Sequence, residues 1–305
     1  IMVRRIPGRT GFGEAFTRSG RLVVNIFPII LTFIAIFLSA CDHQDVGEKN
    51  WPRKPLPNSE IAAFINVVDQ VMSNFLISKA KAEKGDAKAQ TKTADNYAVG
   101  RGVEVDFQEA LKWYRKAAAQ NESQAQYNLG YMYYNGEALP RDYIKAVEWF
   151  TKSAEQGNAG AQCNLGLMYD NGEGVPQDNV AAIKWYRKAA VQGEPMAQFN
   201  MGWMYDNGEG IPEDDTKALE WYLKSARNGH TESPNYIGIL YENEDGTPED
   251  NIAAYAWWLI GIKRGDEAPR NNMEFLAEKL SPEQLAKAKE LSAKLEGGMA
   301  ARKKP

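Results

Sequence analysis

The residue types able to do covalent or metal chemistry are scarce in this chain and stand far apart. Two cysteines, Cys41 and Cys163, and two histidines, His43 and His230, are all it has, which excludes a disulfide framework and a Cys/His zinc cluster. Asp170-Asn171-Gly172-Glu173-Gly174 looks like the start of a calcium loop, but glycine stands at the third position and the terminal glutamate is missing, so it reads as a turn. Gly172 with Gly174, and Gly208 with Gly210, give GxG without the third glycine or the preceding strand of a phosphate cradle. His230 falls at the end of a predicted helix, where an imidazolium would suit the terminus. Cys163 reads as a small core residue, and no serine has a histidine partner in reach of a local argument. No catalytic residue, metal ligand or cofactor is expected, and the chain reads as a non-enzyme.

Cys41 is the one residue with a chemical assignment. Leu22 to Ala40 carries no charge, follows Arg4, Arg5, Arg9, Arg18 and Arg21, and ends in Leu38-Ser39-Ala40 directly before Cys41. That is a basic region, an apolar region and a small-residue cleavage site, the order of an export signal. The last four residues resemble a bacterial lipobox. The resemblance implies cleavage before Cys41, its acylation and a lipid anchor, each buried methylene contributing about 0.8 kcal/mol of membrane affinity. Residues 1–40 are then a signal peptide. Residues 41–58, with Pro52, Pro55 and Pro57, form an extended tether. The expected address is the periplasmic side of a bacterial envelope, and Asp42 resembles an inner-membrane retention signal. An uncleaved membrane helix is the alternative and gives the same sidedness.

Beyond this segment the chain is acidic. The net charge of −4 becomes about −8 once the five arginines and single Glu14 of the first forty residues are set aside, which argues against nucleic acid as the partner.

The elements that would position a site are written as a repeat. Trp113, Trp149, Trp185, Trp221 and Trp257 recur every 36 residues, the mark of stacked helical hairpins. Five units follow, 89–124, 125–160, 161–196, 197–232 and 233–268, between a capping helix at 59–88 and capping helices with a tail at 269–305. In each unit a first helix should end at Asn-Gly, as at Asn171-Gly172, because glycine takes the left-handed cap conformation freely. A loop proline follows (Pro140, Pro176, Pro212, Pro248), then an aspartate placed to cap the second helix: Asp106, Asp142, Asp178, Asp214, Asp250. The second helix should close at Gly157, Gly193, Gly229 or Gly265. Gly130, Gly166, Gly202 and Gly238 fall mid-helix at a cost of about 1 kcal/mol each relative to alanine, which calls for close approach of a neighbour, expected to be the tryptophan.

The recurrence of Ala, Asn-Leu-Gly, Met-Tyr, Asn-Gly, Gly-Val-Pro, Asp, Ala and Trp-Tyr at fixed spacing resembles the Sel1-like repeat family, a relative of tetratricopeptide repeats. The first unit departs from it at Ala94, Val99, Glu104 and Asn121, and the fifth at Glu244. The resemblance implies an all-α fold, a right-handed α/α superhelical solenoid of five hairpins with capping helices. At the ends, Ile61, Phe64, Ile65, Val68, Val71, Met72, Phe75 and Leu76 make one apolar stripe and Phe275, Leu276 and Leu280 another. Ser281-Pro282-Glu283-Gln284 reads as a capping box, with the last helix ending at Gly297-Gly298.

Helix-wheel arithmetic at about 100° per residue separates two faces of each first helix. Positions 1, 5, 8 and 9 are monotonous and predicted core. Positions 3, 7 and 10 vary: Tyr127, Tyr131 and Tyr134; Cys163, Leu167 and Asp170; Phe199, Trp203 and Asp206; Asn235, Ile239 and Glu242. Aromatic side chains among acidic ones suit recognition of a protein, and by the family resemblance first helices line a groove. Charges on the second helices, such as Lys112, Arg115, Glu148, Lys184, Arg187 and Glu220, read as a solubilising surface. The layout as a whole resembles Sel1-repeat immunity lipoproteins that protect bacteria against phospholipase effectors of type VI secretion, implying a lipase-type toxin as partner. The alternatives are an assembly scaffold of an envelope complex and a peptidoglycan- or β-lactam-binding envelope enzyme; relatives of the latter kind carry paired cysteines in each repeat, where this chain has Cys163 alone.

Overall fold

The computed structural model describes residues 58–243 and 248–301; the expected signal segment, Cys41 and the expected tether up to residue 57 lie outside them. Thirteen helices and no strand are found among the described residues: α1 (Asn58–Glu83), α2 (Ala87–Val99), α3 (Phe107–Ala119), α4 (Ser123–Asn135), α5 (Tyr143–Glu155), α6 (Ala159–Asn171), α7 (Asn179–Val191), α8 (Pro195–Asn207), α9 (Asp215–Asn228), α10 (Ser233–Asn243), α11 (Pro248–Lys263), α12 (Arg270–Lys279) and α13 (Pro282–Ala301). None of these is long and apolar enough to cross a membrane. The chain divides into two compact units, one ending at Arg141 and the other beginning at Asp142. In the first unit α1 packs on α2, α2 on α3 and α3 on α4; in the second, helices from α5 on pack in the same sequential way, α11 meeting both α12 and α13.

Short-range chemistry starts and stops the helices. The carboxylates of Asp106, Asp142, Asp178 and Asp214 accept from first-turn backbone N–H groups of α3, α5, α7 and α9, each such cap contributing about 1 kcal/mol. Asp250 breaks the series: α11 already begins at Pro248, so Asp250 lies in its first turn rather than at its cap. First helices end on left-handed glycines, Gly172 at φ 70° for example. Asn121, standing where later repeats have glycine, takes φ 63° itself, a conformation asparagine tolerates better than most residues.

Repeat packing depends on the mid-helix glycines, but the tryptophan is not the neighbour in the middle repeats. A Cβ on Gly166 would lie 2.6 Å from Tyr186, and one on Gly202 2.6 Å from Tyr222. The ring is the residue after each tryptophan, turned about 100° around the helix. Only in the fifth repeat does indole fill this place, as Trp258 over Gly238. Of the tryptophans of the 36-residue beat, Trp113 and Trp257 are buried and the middle three are peripheral by comparison. Trp149, Trp185 and Trp221 are half-buried, and the ammonium groups of Lys152, Lys188 and Lys224 sit 4.2, 3.9 and 4.1 Å from their ring centroids, a cation–π contact that shields the exposed ring.

A buried glutamine joins successive hairpins. Nε2 of Gln162 donates to the carbonyl of Ala154 at 3.0 Å, and that of Gln198 to Ala190 at 2.9 Å; both carbonyls are in last helical turns, where no intrahelical donor remains. The same glutamines accept through Oε1 from Gln192 and Asn228 at the end of the following second helix. Every polar atom of the amide thereby has work inside an apolar stack.

The ends differ from the expected stripes. Phe75 is buried and Val68 and Val71 half-buried, but Ile65, Met72 and Leu76 are exposed, so the buried stripe of α1 is narrower than the apolar one. Phe275 is exposed beneath the Lys279 ammonium while Leu276 and Leu280 are buried. The capping box forms, Ser281 and Gln284 exchanging backbone-to-side-chain hydrogen bonds of 2.8 and 3.2 Å. Its helix continues through Gly297-Gly298 to Ala301, with Met299 buried against the core that holds Phe199 and Trp257.

Candidate functional site

In the first unit Tyr127, Tyr131 and Tyr134 project from α4 and are all half-buried. Tyr127 and Tyr131, together with Phe107, Tyr114, Asn128 and Glu137, line a cleft of about 30 Å³. Metabolite sites run to hundreds of cubic ångströms, so this one admits the tip of a side chain. Behind it Tyr114 donates its phenol proton to Asp95 at 2.6 Å, and Asn128 Nδ2 donates to the same oxygen at 3.0 Å. Burial raises the Asp95 carboxyl and the Tyr114 bond opposes it; burial, then the Asp95 charge, pushes the phenol well above its ordinary value. The rim residues Glu137 and Tyr131 are both raised by burial. The arrangement is one of fixed polar groups beneath an aromatic rim.

In the second unit the predicted recognition residues divide by depth. Asp170, Phe199 and Asp206 are buried, as is Cys163, whereas Leu167, Trp203, Ile239 and Glu242 are half-buried. The two aspartates accept from the ring-packing tyrosines: Tyr186 to Asp170 at 3.1 Å and Tyr222 to Asp206 at 3.2 Å. The third and fourth repeats thus pair a position-10 aspartate with the tyrosine, whereas the second has Tyr134 there and Phe150 in the ring position, and in the first Tyr114 bonds Asp95 instead. Leu167 packs on the core built around Tyr186 and Met201, and Ile239 on that around Trp258 and Leu276. The predicted core position 9, Tyr169, Tyr205 and Tyr241, is only half-buried.

Phe199 anchors an aromatic cluster. It stacks on His230 with centroids 4.6 Å apart and meets Tyr236 edge-on at 5.0 Å, and Tyr236 in turn meets Trp203 at 5.7 Å. His230 Nδ1 shares a hydrogen bond with Ser233 Oγ at 3.0 Å, and burial lowers its pKa to about 4. It is therefore a neutral ring in the stack rather than an imidazolium at a helix end. Tyr236 escaped the sequence reading because it occupies position 4, asparagine in the three preceding repeats; its signal was the departure from that asparagine. No group of three or more His, Cys, Asp or Glu residues suited to a metal ion occurs among the described residues.

The Sel1 repeat model matches residues 87–122, 123–158, 159–194, 195–230 and 235–266, more than half of the chain. Among solved structures, a protective antigen of uropathogenic Escherichia coli displaying an SLR fold is 38% identical over 65% of this chain and 43% of its own, with a TM-score of 0.61. The present chain thus spans under half the length of that relative. A Sel1 repeat protein from Oxalobacter formigenes is 28% identical, covering 72% of this chain and 87% of its own, with a TM-score of 0.63. An immunity protein from Pseudomonas aeruginosa is 21% identical over 70% of this chain and 85% of its own, with a TM-score of 0.44. No curated protein matches. Helical hairpins, glycine-to-ring packing, glutamine staples and the five matched units agree: the chain belongs to the Sel1 repeat family of all-α solenoids.

Proposed function

We propose that this chain binds a partner protein through the faces of its first helices, using Tyr127, Tyr131 and Tyr134 in the first unit and Trp203, Tyr236 and Glu242 in the second. The observation that carries the reading is a set of half-buried aromatic side chains over fixed polar groups, with a cleft of only about 30 Å³. Large rigid aromatics contribute most at protein interfaces, and a cleft of this size suits a protruding side chain. The buried Asp170, Phe199 and Asp206 then hold the face in shape from beneath. In its specific form the proposal is a lipoprotein anchored through Cys41 on the periplasmic side, neutralising a secreted lipase-type toxin by occupying it. The sequence layout supports that form: a lipobox-like Leu38-Ser39-Ala40-Cys41 and a proline-containing spacer.

The test is toxin protection in cells making the full chain, with Tyr131→Ala and Trp203→Ala compared to wild type. Both variants should lose protection while their thermal midpoints stay within about 4 °C of wild type. Loss of stability with unchanged affinity for the captured toxin would make the aromatics packing residues. Full sensitivity of cells expressing the wild-type chain would remove the immunity role, and an intact mass retaining residues before Cys41 would remove the lipid anchor.

A further inference from the structure

The third repeat carries a second surface, on the opposite helix of its hairpin. Three of the other second helices offset a lysine in their first half, although α3 also carries Arg115 and Lys116. In α3 Lys112 pairs with Glu109 at 2.9 Å; in α5 Lys145 pairs with Asp142 at 2.9 Å and in α9 Lys217 with Asp214 at 2.6 Å. One turn on, α5 and α9 place Glu148 and Glu220. In α7 both devices are gone. Ala181 stands where the other three repeats have Glu109, Lys145 and Lys217, and Lys184 where α5 and α9 have glutamate. Lys184, Arg187 and Lys188 are all exposed, and none of them forms an ion pair among the described residues.

An open space lies beside these cations. The short Ala181 side chain leaves an open concavity of about 460 Å³ walled by Tyr169, Trp185 and Val191 and rimmed by the three cations. Val191 is 72% exposed there, and Lys188 already holds its ammonium 3.9 Å from the Trp185 ring centroid. Exposed apolar wall and uncompensated positive charge thus coincide at one hairpin of a protein that is acidic overall.

We propose that this concavity on α7 is a docking site for an acidic peptide segment of a partner protein, carboxylates meeting Lys184, Arg187 and Lys188 while their aliphatic stems lie on Trp185 and Val191. Charge complementarity selects the occupant: the rim offers only cations, and such a rim steers and orients an acidic chain. A concave seat with an aromatic wall accepts individual side chains, whereas a planar membrane surface would need a flat or convex basic face. Apart from Tyr169 of α6 the site is built on α7, and it does not depend on the reading of positions 3, 7 and 10.

A fluorescein-labelled peptide alternating Glu and Gly serves as the probe, its anisotropy titrated with the full chain at low and at physiological salt. Binding should weaken with salt. The double variant Ala181→Lys/Lys184→Glu rebuilds the pattern of α5 and α9, so the helix has every reason to form, and it should bind at least about tenfold more weakly. Arg187→Thr, which installs the residue that α5 has as Thr151, should weaken binding in the same direction. Lys112→Glu in the first repeat, and Trp203→Ala on the first-helix face, should leave it within about twofold. Unchanged binding in the double variant, or an equal loss in Lys112→Glu, would overturn the site. So would failure of the peptide to bind while anionic phosphatidylglycerol vesicles bind and lose affinity in the double variant, since that identifies a lipid surface.

Discussion

Arg264 donates from Nη1 to the carbonyl oxygen of Ala226 at 2.8 Å, and in doing so takes over the task that a glutamine performs in the two repeats before it. Ala154 and Ala190 occupy the same place in their helices and receive Gln162 and Gln198. The residue in register in the fifth repeat is Pro234, which has no side-chain donor. The guanidinium reaches in from the turn after α11 instead, also touching the Met299 sulfur, and burial lowers its pKa from the usual value. Removing it takes away the charged donor and leaves the carbonyl only the Gly229 N–H at 3.3 Å. Arg264→Ala should therefore cost about 1–3 kcal/mol in urea unfolding. Adding Pro234→Gln to that variant should recover a substantial part by restoring the older solution. If the double variant is no more stable than Arg264→Ala, the exchange of donors is not the reason for the loss.

The Gly166 position is tested by the smallest possible side chain. Its Cβ would stand 2.6 Å from the Tyr186 ring, and Tyr186 cannot swing aside cheaply because its hydroxyl is bonded to buried Asp170. Gly166→Ala gains helix propensity but overpacks, for a net loss of about 1–3 kcal/mol. Pairing it with Tyr186→Ala should remove most of the additional penalty of the alanine, measured as a double-mutant cycle. Additive losses would place the strain elsewhere.

Cys163 provides a chemical test of the core. It is 4% exposed, and burial, with a smaller contribution from Glu194, pushes its thiol well above the ordinary value. The thiolate is the reacting species. Iodoacetamide should leave the Cys163 peptide unlabelled in the native protein and label it fully in denaturant, read by peptide mass spectrometry. Rapid native labelling would mean that the α6–α7 hairpin opens locally.

What the sequence disclosed and what it withheld follow a physical division. Aspartate caps and left-handed glycines were legible because each acts within three or four residues of itself; Asp178 and Gly172 bond to groups in their own turn. The glutamine staple was not, since Gln192 meets Gln162 thirty residues away, and nothing local marks a side chain whose partners are in neighbouring hairpins. Trp185 and Tyr186 were confused by a single position, which on a helix is about 100° and decides between the outer surface and the ring seat. Asp170 and Asp206 look like surface charges until the tyrosines that bury them are located. On the proposed faces the wheel names Tyr131 and Trp203 and omits Tyr236, because the contact of Trp203 with Tyr236 joins two adjacent repeats and is periodic in neither.

His230 turns the second aromatic cluster into a pH-dependent element. Its ring stacks on Phe199 and shares a hydrogen bond with Ser233, and burial lowers its pKa from 6.5 to about 4. A base whose folded pKa lies below its unfolded one stabilises the fold while neutral. That contribution is fully present above about pH 6.5 and is lost as pH falls towards about 4, because the unfolded chain binds the proton first. Wild type should thus lose more stability across this window than His230→Phe, which keeps an aromatic ring against Phe199 and has nothing to titrate. The comparison matters because carboxylates also titrate near the lower limit and act equally in both proteins; only the difference between the two denaturant midpoints reports on His230. Parallel curves from pH 7 to pH 4 would show that the imidazole accepts its proton within the folded stack, and the ring would then be a poor lock for the Phe199–Tyr236–Trp203 face.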